Sequence, residues 1–386
     1  MAIVGGGAIG LATAWRAAAR GMRVAVLERS RPGQGASWVA AGMLAPVTEA
    51  RLSELPLLEL GLASAHAYPE FVDALRAETD IDPGYRRVGT LAVARDRDEA
   101  EALDRELDVR RGLGLDVTRL RPTEARRLEP ALAPSIRLAL DAPDDHAIDP
   151  RRLTRALLVA TRSVGVEVLE ETDVTELVVA GDRVAGLRLT DGGLLEAEHV
   201  VIAAGAWASG LAGIPEPQRI AIHPVKGQLL RLHDPSGPGL LERVLRVAGT
   251  YLVPRGDGRY VLGATMEERG YDTTVTAGAV FELLRDCGEL VPGISELVVD
   301  ELIAGLRPAT TDGLPVIGPA LLPGLHWAVG HFRNGILLTP VTAEIVVDGL
   351  LGRPVGDLAT PFAPERLVGD GAPSAASRPP RAPVEA

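Results

Sequence analysis

Residues 2–10 read AIVGGGAIG, and the order of side chains in this stretch decides the fold. An apolar run, Ala2, Ile3 and Val4, breaks into Gly5, Gly6 and Gly7 and then enters a run of small residues over 9–20 that can wind as a helix. Gly21 closes that run and 24–27 is apolar again, so the segment reads as strand, glycine turn, helix, strand. In the spacing Gly5-x-Gly7-x-x-Gly10 each glycine has its own reason to lack a side chain: a tight turn, close approach of a pyrophosphate to the backbone, and close packing of helix on strand. Glu28 ends the second strand eighteen residues after Gly10, where a carboxylate can accept hydrogen bonds from an adenosine ribose. The stretch predicts a dinucleotide site, with NAD and FAD equally admissible at this point.

Composition narrows the class. A chain of 386 residues that is 46% hydrophobic and 24% charged has room for two cores. Its net charge of −12 argues against nucleic acid or anionic membrane as a partner, since both demand clustered positive charge. The single cysteine, Cys287, excludes an intramolecular disulfide and a cysteine-based zinc site, and suits a reducing, cytoplasmic compartment. Seven histidines lie scattered without metal-ligand spacing, so no metal is expected. There is no G-x-S-x-G elbow and no Walker lysine loop. The most apolar interior stretch, 200–214, is interrupted by Gly205, Gly210 and Gly213 and is too short for a bilayer. Lys226 is the only lysine among 40 basic residues, so any one arginine needs positional support before it carries a role.

Downstream of Glu28, the Gly, Ala, Ser and Pro of 29–46 predict an extended loop along a ligand. Residues 52–78 show helical spacing, with Pro69 as an expected break. A strand over 88–93 precedes a charged helix opened by Asp96 and Glu99 in capping-box spacing. Asp149-Pro150 starts another helix, and strands follow over 166–169, 174–179, 184–189 and 200–203. From 219 to 302 the texture becomes alternating, with strands over 225–232, 250–254 and 260–264 and a helix near 277–290. The last strand, 325–329, leads into GHFRNGILLTP at 330–340 and a final helix to about residue 350.

The amino-terminal fingerprint, AAGAWA at 203–208, GLRPATTDGLPVIG at 305–318 and GHFRNGILLTP together resemble the D-amino-acid oxidase family of FAD enzymes. GHFRNGILL and GATM at 263–266 are similar to its glycine oxidase branch, which serves thiamine biosynthesis. The resemblance covers 2–361 and implies an α/β fold. A discontinuous Rossmann-like FAD-binding domain would take 1–80, 141–218 and 304–363, and a substrate domain with a large antiparallel sheet would take 81–140 and 219–303, leaving 364–386 as a disordered tail. Family members generally carry residues ahead of the first strand position seen here, so the opening strand is expected to be short.

The same resemblance implies an activity. Hydride would pass from the substrate Cα to the flavin, turning glycine into an imine that is hydrolysed to glyoxylate and ammonia or used for the thiazole of thiamine. O2 would be reduced to hydrogen peroxide. Arg307 matches the carboxylate-binding arginine, Tyr251 an active-site tyrosine, Met266 a pocket wall, and Arg333 a position near the amine or the flavin edge. FAD would be held by Gly5, Gly7, Ala8, Ile9, Gly10, Glu28, Arg29, Ser37, Ala41, Gly42, Val174, Ala204, Gly205, Trp207, Arg333, Asn334, Gly335, Ile336 and Leu337, the first glycines forming the AMP and pyrophosphate lobe, the strand end at Ala204 to Trp207 supporting pyrophosphate and flavin, and Gly335 to Leu337 meeting the flavin. His331 is a poor candidate base, because hydride transfer from a neutral amine removes no proton from Cα, and no residue is expected as an essential acid or base. Related sarcosine oxidases tether flavin through a cysteine just after the Arg307 segment; Ala309, Thr310 and Thr311 stand here, which implies non-covalent FAD. Those relatives also use a lysine with O2 in the strand matching 260–264, and this chain has none. The alternative is therefore a D-amino-acid or sarcosine-type dehydrogenase with another acceptor. A homo-oligomer, a tetramer by the family's example, and a functional link with thiazole synthase complete the expectation.

Overall fold

The strand Ala2–Val4 leads into the helix Ala8–Ala19 and returns as the strand Ala25–Leu27, in a computed structural model that describes residues 1–367. Ala2–Val4 is three residues long, yet both its edges are paired, with Ala25–Leu27 on one side and the parallel strand Val200–Ile202 on the other. Outward from these lie Glu167–Leu169 at one end and Leu325–Val329 with the antiparallel Val316–Pro319 at the other, six strands in all. Central strands covered on both faces must be apolar throughout, and AIV and VVI are.

Helices Ala8–Ala19, Leu55–Thr79, Pro150–Ser163 and Thr339–Leu350 cover one face of this sheet, packing Leu11, Trp15, Phe71, Leu157 and Val346 against Ile3 and Val201. A three-stranded sheet, Val174–Ala180, Arg183–Leu189 and Leu194–Glu196, covers the other. Pro69 lies inside Leu55–Thr79 and does not break it, contrary to expectation. A proline in a helix costs about 3 kcal/mol. Tyr68, Phe71 and Val72 around it are all buried in the core, and each buried side chain of that size contributes about 1.5–3 kcal/mol.

The larger sheet has eight strands, in the order Val298–Ala309, His223–His233, Arg259–Gly263, Thr250–Pro254, Val244–Val247, Thr90–Ala94, Leu138–Ala142, Thr118–Leu120. All neighbours are antiparallel except Val244–Val247 with Thr90–Ala94. Pairing carries this sheet past the cuts expected at 141 and 304, through Ala142 and Ala309, because Ala304 to Ala309 are each matched by a residue of His223–His233. Helix Ala277–Gly288 packs Leu283 and Cys287 on one face against Leu230, Leu252 and Leu262. The other face looks toward the six-stranded sheet across loop 29–46, which forms a short helix, Ala36–Val39, and a strand, Met43–Leu44, paired with His146–Ala147.

The expected disordered tail does not begin at 364. Pro364–Leu367 forms a 3₁₀ turn in which Pro364 and Leu367 are buried and Arg366 binds the Asp312 carboxylate and the Leu314 carbonyl, so apolar burial and an ion pair hold it down. The remainder, 368–386, lies outside the described residues. Among the described residues, no helix is long and apolar enough to cross a membrane.

Candidate active site

Four parallel strands of the six-stranded sheet, ending at Val4, Leu27, Ile202 and Val329, each hand over to a segment that lines one cavity. This is the carboxyl edge at which open α/β sheets bind ligands. The cavity measures about 2130 Å³ and runs on under the face of the larger sheet. A pocket for one small molecule reaches about 1,000 Å³, so there is room for a dinucleotide and a substrate.

The three fingerprint glycines have distinct surroundings. Gly5 has φ +110°, and a Cβ there would stand 2.5 Å from the Ala203 carbonyl oxygen. A Cβ on Gly10 would lie 2.0 Å from the Gly5 carbonyl oxygen, so Gly10 packs helix on turn and does not line the cavity as expected. Around Gly7 the nearest atom to a Cβ is Ser37 Oγ at 3.5 Å, leaving the amino end of Ala8–Ala19 open to the cavity. Ser37 Oγ accepts the Ala8 N–H at 3.0 Å. Glu28 Oε2 accepts the Gly6 N–H at 2.8 Å, while Oε1 accepts the Ser30 N–H and hydroxyl, both at 3.1 Å. Nearby, the Arg29 guanidinium lies 4.0 Å from the Trp207 ring centroid. These residues fit a dinucleotide: the positive amino end of a helix attracts phosphate, Gly7 leaves room for it, and the fixed Glu28 carboxylate keeps lone pairs for hydroxyls.

Ala8, Ile9, Arg29, Ala41, Gly42, Val174, Ala204, Gly205, Trp207, Arg333, Asn334, Gly335 and Ile336 line the same cavity. Leu337 does not. It turns into the helical layer, where its carbonyl accepts the Ser64 hydroxyl at 2.6 Å.

Register on the larger sheet assembles the other end. Arg246 stands opposite Tyr251, Tyr251 opposite Gly263, and Gly263 opposite Leu229, which puts all four on one face of four adjoining strands. Arg307, opposite Val225, shares that face. Its guanidinium covers Gly227, where a Cβ would be 2.4 Å away, and its Nη1 donates to the Thr265 carbonyl at 3.0 Å and the Lys226 carbonyl at 3.3 Å. Burial raises the Tyr251 phenol above its usual range against the opposing pull of Arg307, so it stays protonated. Met266 is exposed on the cavity wall. Lys226 is buried and ion-paired with Asp272, whose carboxyl this contact holds down to about 2. His331 is buried with Nε2 3.0 Å from Thr342 Oγ1, and burial pushes it down to about 3, which leaves it neutral.

Phe332, at φ +46°, turns the chain so that Arg333 reaches Glu49, and the other Glu49 oxygen is 3.1 Å from Arg246 Nε. Sequence reading missed both Glu49 and Arg246. The turn Ala248-Gly249 between two apolar arms was the available signal, since closing that hairpin puts Arg246 opposite Tyr251. The backbone carrying Glu49 is clamped on two sides. Asp145 accepts the N–H groups of Val47 and Thr48 at 2.8 and 2.7 Å, and the buried Arg110 donates to their carbonyls at 2.9 and 2.8 Å. Among the described residues no three His, Cys, Asp or Glu side chains group as metal ligands do.

Comparison with known proteins accords with this geometry. The family described as "DAO: FAD dependent oxidoreductase" matches residues 1–349. The chain is 37% identical over 371 residues to glycine oxidase of Geobacillus kaustophilus, covering 96% of this chain and 97% of that one. It is 35% identical over 370 residues to the bifunctional protein ThiO/ThiG of a Synechocystis strain, covering 95% of this chain and 54% of that protein, so it spans about half of the fused relative. The crystal structure of glycine oxidase from Geobacillus kaustophilus superposes with a TM-score of 0.89 at 36% identity, covering 95% of this chain and 98% of that one. The chain belongs to the DAO family of FAD-dependent oxidoreductases.

Proposed function

We propose that this chain is a glycine oxidase: it converts glycine to its imine with non-covalent FAD, passes the electrons to O2, and supplies the imine for thiazole formation. The observation that carries the reading is one cavity with a dinucleotide cradle at the strand ends and Arg307 with Tyr251 on the facing sheet. When bound, FAD supplies the hydride acceptor and the route to O2. The chain supplies binding and orientation. Gly7 and the amino end of Ala8–Ala19 would hold the pyrophosphate and Glu28 the ribose, with Gly335 and Ile336 along the flavin. Arg307 anchors the substrate carboxylate through donors its carbonyl contacts leave free, and the protonated Tyr251 donates to the same carboxylate. Arg333 and Arg246 make this end electropositive, which favours the neutral amine over the ammonium ion, the form that can give up hydride. The single cysteine lies on Ala277–Gly288, buried against the larger sheet, and does not line the cavity, in keeping with non-covalent FAD.

Relatives that join ThiO to ThiG in one chain support a functional link with thiazole synthase. A cytoplasmic homo-oligomer is part of the same reading. A second reading, a D-amino-acid or sarcosine-type dehydrogenase with another acceptor, draws on Lys226: the only lysine is bound to Asp272 and does not line the cavity. Anaerobic addition of glycine followed by air separates the two. Flavin absorbance that bleaches and returns in air supports the oxidase; absorbance that bleaches and stays bleached rejects it in favour of the dehydrogenase.

A further inference from the structure

Arg246 and Arg333 both line the cavity, and each has donors to spare. Of Arg246, Nε is bound to Glu49 and Nη1 stands 3.6 Å from Glu106, while Nη2 meets no acceptor among the described residues. Of Arg333, Nη2 is bound to Glu49, and among the described residues Nε and Nη1 meet no acceptor. Glu106 also serves Arg110 at 2.8 Å, so its charge is divided. With Arg307 already assigned to one carboxylate, the substrate end holds two further guanidinium groups against the single carboxylate directly between them. Partly buried cations left without a full counter-charge are costly, and an anion on the ligand removes that cost. Burial lowers the Arg333 pKa even with Glu49 beside it, which agrees with an incompletely compensated charge. The geometry is also built in advance: Asp145 and Arg110 hold the Glu49 backbone, and the hairpin register holds Arg246 beside Tyr251.

We infer that Arg246 and Arg333 form a second anion-binding position, so that besides glycine the site takes small amino acids carrying a second carboxylate on the amine, and takes them in preference to the same amino acids carrying an uncharged group there. This rests on the reading of Arg307 as the first carboxylate anchor. Glu49 occupies the position in the free enzyme as an internal competitor for the two arginines.

The test uses purified, FAD-loaded enzyme and two pairs of probes that differ by one carboxylate. Methoxyacetate and oxydiacetate, which have no amine to oxidise, are read as dissociation constants from the change in flavin absorbance. Sarcosine and N-(carboxymethyl)glycine are read as kcat/KM. A charge-assisted hydrogen bond predicts that the second carboxylate tightens binding by about tenfold or more. Arg246→Met brings that ratio down to about one, and Glu49→Gln raises it above wild type by removing the competitor. Oxydiacetate binding no tighter than methoxyacetate overturns the inference, as does a ratio unchanged in both variants. Failure of the proposed activity reads differently, because then neither glycine nor sarcosine bleaches the flavin, whatever the oxydiacetate ratio.

Discussion

Gly227→Ala tests the substrate anchor without touching the anchor itself. The Arg307 guanidinium lies directly over Gly227, so an alanine Cβ would meet its Nη1, Cζ and Nη2 at 2.4–2.5 Å. Ordinary contact begins at 3.4 Å, so the group must retreat by about 1 Å, and as the far end of a flexible side chain it can do so while the backbone stays in place. The pairing of Gly227 with Gly305 is undisturbed, so folding and FAD loading should match wild type. A 1 Å misplacement of a positioning group can cost about a hundredfold. Partial loss of a charge-assisted hydrogen bond, at about 1.5–3 kcal/mol, gives a fall of about 10- to 150-fold in kcat/KM for glycine. Steady-state peroxide release measures this fall, with the flavin spectrum and melting temperature as controls. Unchanged kcat/KM in yellow, folded Gly227→Ala protein would refute the placement of Arg307 over the substrate carboxylate. Colourless or aggregated protein would refute the argument that the side chain gives way before the backbone.

Arg307→Leu should cost more, about 3–5 kcal/mol of transition-state stabilisation, because the substrate charge is left buried and unpaired; kcat/KM within tenfold of wild type would reject that role. Gly7→Val should fold and stay colourless, since its side chain enters the cavity, whereas Gly10→Ala meets the Gly5 carbonyl oxygen at 2.0 Å and should lower the melting temperature. Absorbance at the flavin band and thermal unfolding separate the two outcomes. The histidines predict acid sensitivity. Burial holds His331 down to about 3 and His326 down to about 4, so between those values and the unfolded value of 6.5 the unfolded chain binds more protons and stability falls as the pH falls. Asp145, which burial raises to about 6, works the other way, as do the burial-raised Glu129 and Asp141, while burial lowers His146 and His199 as well and so adds them to the histidine side. Melting temperature should therefore drop from pH 6.5 toward 4, and His331→Gln should flatten the slope; a wild-type profile flat over that range would contradict this.

Much of the site could be read in advance where the chemistry is local. A fingerprint glycine is constrained by atoms within a few positions of itself, such as the Gly5 carbonyl that excludes a side chain on Gly10. Glu28 follows its strand directly; Ser30, which binds it, is next but one in sequence, and Gly6 belongs to the same strand, helix, strand unit. By the same logic Asp149 was recognisable as a helix cap, and its carboxylate does accept the Arg151 N–H at 3.0 Å. Pro69 shows the limit of such rules: the local cost is real, but burial of Tyr68, Phe71 and Val72 outweighs it, and that burial depends on helices far away in sequence.

By itself, then, the sequence determined the glycine turn at the start of the first helix, the alternation of elements and the family, because these depend on short-range spacing and on motifs. Of the 39 arginines, motif position singled out Arg307 and Arg333, but that Arg246 joins them was decided only by tertiary structure. Arg246, Arg307 and Arg333 lie on two strands and a turn, and only sheet register and the Phe332 turn place them together around Glu49. The physical reason is that an arginine's role is set by the charge and room at its tip. The tip lies far from its own backbone, and its neighbours come from other parts of the chain.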